Sequence, residues 1–161
     1  MNDKLVNKEH PLYEYYNNRT INANKKEEEF RTKLRFKWQP KWRISKRYIK
    51  EWFTPAGTFD LNVTTYEFIN DKRIRERITY FHDDLVKGRI RYDIEIIKVY
   101  TLNYLKYASI KQVEGIEAKP TPQAVRKWIR DFKLDKSLLK LSKEEQDKFY
   151  SNLEKSYRNV E

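Results

Sequence analysis

Between Arg31 and Lys50 the chain sets nine cations (Arg31, Lys33, Arg35, Lys37, Lys41, Arg43, Lys46, Arg47 and Lys50) with no acid among them. Lysine and arginine hold phosphate oxygens and release condensed counterions as they do so. Trp38 and Trp42 stand in the same window and could stack on bases, although large aromatics more often bury. The chain has 35 basic and 24 acidic residues, a net charge of +11, so the 26 basic residues outside this window nearly balance the acids. Excess charge gathered in one stretch points to an anionic partner more strongly than diffuse charge, because unopposed cations repel one another until a polyanion neutralises them.

Other constellations are thinner. His82-Asp83-Asp84 offers one histidine and two adjacent carboxylates. Adjacent side chains on a strand point apart, so this run reads as a turn rather than a metal site. A Ser-His-Asp triad would have to use His10 or His82, and no nucleophile is marked beside either. Asp60, Glu67, Asp93 and Glu95, with Lys98, are the residue types of a metal-dependent nuclease. On a regular strand, however, Glu95 and Lys98 fall on opposite faces, and a solvated sheet face explains the acids more simply. The three glycines, Gly57, Gly88 and Gly115, are too few and too scattered for a phosphate-cradling loop. The chain has no cysteine, which removes disulfides, thiolate zinc sites and cysteine nucleophiles. No catalytic residue, metal or cofactor is assigned.

The elements that must position the cations come next. Residues 1–30 read as a partly ordered arm with a short helix near 25–31. In RTKLRFKW, residues 31–38, cations alternate with Thr32, Leu34, Phe36 and Trp38, the period of a strand with one cationic face. Ser45 is expected to cap a short helix that gathers Tyr48, Ile49, Trp52 and Phe53, with a turn at Pro55-Ala56-Gly57. Alternation over 59–68, 73–81 and 89–98 predicts further strands, with a turn at Asn70-Asp71-Lys72. Arg73, Arg75 and Arg77 share one face and would extend the basic surface if their strand pairs nearby. A slip in the alternation at Ile97 and Val99 suggests a bulge or a change of element. Residues 99–113 are ambiguous between strand and helix, with Gly115 as a C-terminal cap in the helical case.

The C-terminal third carries clear helix signals. Thr121-Pro122 is a cap followed by a first-turn proline, and Val125, Trp128, Ile129 and Phe132 follow at helical spacing. Ser142 and Glu145 form a capping box ahead of Phe149, Leu153 and Tyr157. The stretch TPQAVRKWIRDF resembles the recognition helix of helix-turn-helix modules, with SIKQVEG as the first helix. The resemblance implies that Gln123, Arg126, Lys127, Arg130 and Lys133 enter a major groove. The plainer alternative is a surface helix packing Trp128 inward.

The expectation is therefore an α+β protein. Its basic β-rich core spans 31–115 around a small antiparallel sheet of four or five strands, with an OB-type barrel as a variant, and a helical region follows at 116–161. The expected partner is nucleic acid, DNA ahead of RNA, gripped without enzymatic chemistry by Arg31, Lys33, Arg35, Lys37, Lys41, Arg43, Lys46, Arg47, Arg73, Arg75, Arg77, Arg126, Lys127 and Arg130. An assembly protein of a virus or phage particle is the alternative, and a homo-oligomer fits either. Abundant Lys, Asn, Ile and Tyr suit an AT-rich coding sequence such as a phage, virus or plasmid carries. The N-terminal MNDKLVNKEH lacks the apolar run of a secretory signal, and Ile94 to Val99 is too short to span a bilayer, so a cytoplasmic, non-membrane protein is expected.

Overall fold

The computed structural model describes residues 6–37, 43–69, 75–82, 85–86 and 90–158. Trp38, Lys41, Trp42, Asn70-Asp71-Lys72, Arg73, Asp83-Asp84 and Gly88 lie outside the described residues. The architecture mixes helix and sheet. Helix α1 (Tyr13–Lys37) precedes strands β1 (Arg43–Thr54), β2 (Gly57–Ile69) and β3 (Arg75–Thr79). Helices α2 (Ile94–Tyr107) and α3 (Pro122–Asp131), a 3-10 turn (Lys136–Lys140) and α4 (Lys143–Arg158) follow. Among the described residues the sheet has three antiparallel strands in the order β1-β2-β3. This corrects the expected four or five strands and the OB-like variant, because two of the expected strands are helical.

The first is 31–38, whose residues 31–37 form the last turns of α1. Their alternation covers too few residues to outweigh an upstream run rich in Lys and Glu, since extending an existing helix is easier than nucleating a new element. The buried positions Tyr16, Thr20, Ala23 and Glu27 recur at helical spacing. From residue 6 onward the N-terminal segment is thus no loose arm. Ahead of α1, the Asn7 N–H donates to the Ala56 carbonyl at 2.9 Å, and His10 Nε2 meets the Gly115 carbonyl at 2.6 Å.

The second is 89–98. The Asp93 carboxylate accepts the Glu95 N–H at 3.2 Å and caps α2, which starts at Ile94. Ile96, Ile97, Tyr100 and Thr101 are then buried at helical spacing, so the slip in alternation marks a change of element. Only the flank of this stretch is strand-like: Phe53 N–H donates to the Arg91 carbonyl, and Asp93 N–H to the Phe53 carbonyl, both at 2.8 Å.

The helix expected after Ser45 is β1 instead. Pro55-Ala56 and Gly57, at φ 127, close a tight hairpin that pairs β1 with β2 along its length, and Ser45 falls at a register shift between Ile44 and Lys46. A strand sends Trp52 and Phe53 to opposite faces. Trp52 meets Tyr16 edge-on at 5.4 Å, whereas Phe53 stacks on Tyr92 at 4.6 Å.

Two apolar clusters result. Tyr16, Ala23, Trp52, Ala56, Phe59, Leu61, Leu85 and Val86 pack between α1 and the sheet. Ile96, Ile97, Tyr100, Val125, Trp128, Leu134, Leu138 and Tyr150 pack the helices together. Phe53, Tyr92 and Trp128 form an aromatic chain that ties β1 to the helical cluster, the last pair 5.1 Å apart. The C-terminal caps form as their residues imply. Thr121 Oγ1 accepts the Ala124 N–H, while Ser142 and Glu145 exchange reciprocal bonds at 3.1 and 3.2 Å. Helix α2 closes at Ala108, not at Gly115. No described helix is long and apolar enough to cross a membrane.

Candidate nucleic-acid interface

Strand β1 has 12 residues; Tyr16 of α1 meets it at Trp52, and the 91–93 segment meets it at Phe53. From Arg43 to Ile49 every residue is exposed, on both faces of the strand. Arg43, Lys46 and Arg47 therefore stay hydrated while Ile44, Tyr48 and Ile49 stand open between them. The Lys46 ammonium lies 5.0 Å from the centre of the Tyr48 ring, a cation–π contact that orders both side chains at the surface.

The end of α1 brings the other half of the basic window alongside. Arg31 Nε donates to Glu27 at 3.1 Å, and Glu27 is only 1% exposed. Burial pushes the Tyr66 phenol above its ordinary range, while the guanidinium groups of Arg31 and Arg47 pull it back. Tyr66 pairs in register with Ile44 of β1, and its ring lies 6.3 Å from that of Phe30 on α1, so the end of α1 stands beside the open half of β1. Lys33 is exposed on α1. Arg35 and Lys37 belong to its last turns.

Strand β3 continues the surface across the sheet. Arg43 pairs in register with Glu67, which pairs with Arg77 on its other side. Arg43 Nη2 lies 3.9 Å from Glu67 Oε1, and Arg77 is exposed. Arg75 pairs with Ile69 two residues further along. The acid between the two arginines reduces the net charge of this row, which charge counting over 31–50 had not revealed.

Arg126, Lys127 and Arg130 stand elsewhere, on the exposed side of α3 opposite the buried Val125 and Trp128. Arg130 Nε contacts Asp131 at 3.4 Å. The helix belongs to the cluster formed with α2 and α4. Residues 109–115, the expected first helix of a helix-turn-helix, are not helical. That resemblance is therefore corrected to a surface helix packing Trp128 inward.

The nuclease constellation is dispersed. Asp93 is buried, and its carboxylate accepts from the Tyr16 hydroxyl at 2.8 Å. Glu95 and Lys98 lie one helical turn apart, not on opposite faces of a strand, and form an ion pair at 2.9 Å. Lys98 also reaches Asp147 on α4 at 2.8 Å. His82 is buried with Nε2 2.7 Å from the Asn62 carbonyl. Among the described residues no group of three histidine or carboxylate side chains could hold a metal ion.

Sequence reasoning missed Glu27 and Glu67 as the acids that hold the cationic surface. The i, i+4 spacing of Glu27 and Arg31 was the available signal for the first. Glu67 needed the sheet register. Comparison with protein-family models, curated proteins and solved structures finds no match to this chain.

Proposed function

We propose that this is a non-enzymatic nucleic-acid-binding protein that grips the phosphate backbone with the open half of β1 and the adjoining end of α1. The observation that carries this reading is the exposure of Arg43, Lys46 and Arg47 on a strand segment open on both faces. Arg31 follows Phe30 on α1, whose ring meets that of Tyr66, the register partner of Ile44. Cations held by a sheet and a helix end form a fixed surface against which backbone phosphates can order. Arg77 and Lys33 border it, and Arg75 lies two residues beyond Arg77 on β3. Arg126, Lys127 and Arg130, exposed on α3, supply a second, separate contact to backbone phosphates. DNA is the favoured partner over RNA, in the cytoplasm of a cell or the host of a phage, virus or plasmid.

The test is affinity against salt for duplex DNA, single-stranded DNA and RNA. Log affinity should fall steeply with log salt. Replacing Arg43, Lys46 and Arg47 together by glutamine should flatten that slope by roughly 2 to 3 units, about one for each phosphate no longer neutralised. Absence of binding to all three nucleic acids at low salt overturns the reading.

A second reading, an assembly protein, draws on the exposed Ile44, Tyr48 and Ile49 of the same strand. Oligomers that grow with concentration and survive nuclease treatment in light scattering would favour it.

A further inference from the structure

At the end of α2 the chain reverses sharply. Ala108 takes a left-handed conformation, φ 50, and its N–H donates to the Tyr104 carbonyl. The returning segment is fixed in place. The Val113 N–H donates to the Tyr100 hydroxyl at 3.1 Å, and Ile110 and Val113 pack against the helical core. The Gln112 side-chain amide donates to the Ile116 carbonyl. Between the helix end and this segment lies an open groove of about 430 Å³, lined by Asn103, Tyr107, Ser109, Lys111, Gln112 and Val113.

The chemistry of this lining is specific. Tyr107 is 63% exposed, more than any other large hydrophobic residue described. The Lys106 ammonium lies 5.1 Å from the centre of its ring. Asn103, Ser109 and Gln112 bring groups that donate and accept, and Lys111 is an exposed cation. An aromatic face, amides and flanking ammonium groups are what a nucleobase with its phosphate requires. A base within a duplex already stacks on its neighbours, so a lone tyrosine face suits an unpaired one.

We propose that this groove takes one unpaired base of a single-stranded nucleic acid, stacked on Tyr107. Asn103 and Ser109 meet its polar edge, and Lys106 and Lys111 hold the adjoining phosphates. The inference rests on the nucleic-acid reading above and adds a single-strand preference to it.

The test uses single-stranded DNA carrying 2-aminopurine, a matched strand with one abasic position, and a duplex, all at one salt concentration. The full chain should quench the 2-aminopurine. Tyr107→Ala should abolish the quenching and weaken single-strand binding about 5- to 100-fold. Tyr107→Phe, which keeps the ring, should retain both. Duplex affinity and its salt slope should stay unchanged in every variant, and an unaltered melting curve for Tyr107→Ala confirms that the fold is intact. If Tyr107→Ala binds and quenches like the parent, or abasic strands bind as tightly as intact ones, the groove proposal fails while a steep duplex salt slope leaves the backbone-gripping reading standing. If no nucleic acid binds at low salt, both fail together.

Discussion

The Tyr16 hydroxyl donates to the Asp93 carboxylate at 2.8 Å across a separation of 77 residues, joining the first helix to the cap of α2 in a buried contact. Burial pushes the Asp93 carboxyl above its ordinary value of 3.8, and the bonds from Tyr16 and the Glu95 N–H only partly offset this. The folded chain therefore keeps this proton at a pH where the unfolded chain has released it. The resulting stability is fully present below 3.8 and is lost as pH rises through the raised folded value. Asp93→Asn keeps an acceptor for Tyr16 and a capping group, but no longer titrates. Urea midpoints over a pH series should show the variant gaining on the parent as pH rises through that window. Parallel curves would refute the assignment. Tyr16→Phe should cost about 1–3 kcal/mol, the penalty for stripping a donor from a buried acceptor.

Lys98 ties α2 to α4 through Glu95 and Asp147. Burial lowers its ammonium, but the bonds to Asp147 and Glu95 outweigh this and raise it. Lys98→Met should reduce the Tm by roughly 2–4 °C at low salt. The difference should shrink in high salt, because the partners on both sides are partly exposed to screening. A salt-independent loss would mean that packing of the lysine stem, not its charge, joins the helices.

Ala108 and Lys133 hold left-handed conformations, φ 50 and 55, that a side chain disfavours. Lys133 sits in a Schellman closure of α3, with the Leu134 N–H bonded to the Ile129 carbonyl at 2.9 Å. Ala108→Gly and Lys133→Gly should each stabilise by about 0.5–1 kcal/mol, read by urea denaturation. A loss in both would contradict the backbone geometry at these helix ends.

Glu67 stands in register between Arg43 and Arg77. Removing its charge should strengthen polyanion binding, the opposite of the usual effect of a change inside a binding surface. Glu67→Gln is expected to raise affinity for nucleic acid roughly 2- to 10-fold, with a salt slope steeper by up to about one unit. Unchanged or weaker binding would place the nucleic acid away from this row of the sheet.

Helices α3 and α4 were legible because cap and periodicity coincide: Thr121-Pro122 ahead of Val125 and Trp128, and Ser142 with Glu145. The alternation of Phe59, Leu61 and Val63 likewise marked β2. Helix α1 was not legible, because its inward face includes Thr20 and Glu27, which no hydrophobic pattern registers. Thr20 donates to the Tyr16 carbonyl, and one oxygen of Glu27 accepts from Arg31. For the candidate interface, counting charge found the cations but not their geometry. Arg31 to Lys37 belong to a helix and Arg43 to Lys50 to a strand, and only the pairing of β1 with β2 decides which of them stand open.

The N-terminal anchors carry a consequence for biosynthesis. Asn7 bonds to Glu117, and His10 meets the Gly115 carbonyl 105 residues downstream. A ribosome adding about 5–20 residues per second makes the first anchor wait roughly 5–20 s for its partner to be translated. During that interval the hairpin of β1 and β2 can close, while the segment before α1 has neither of these two partners. Nascent chains arrested before Gly115 should therefore be cut by protease near His10, and chains arrested well beyond Glu117 should be protected there.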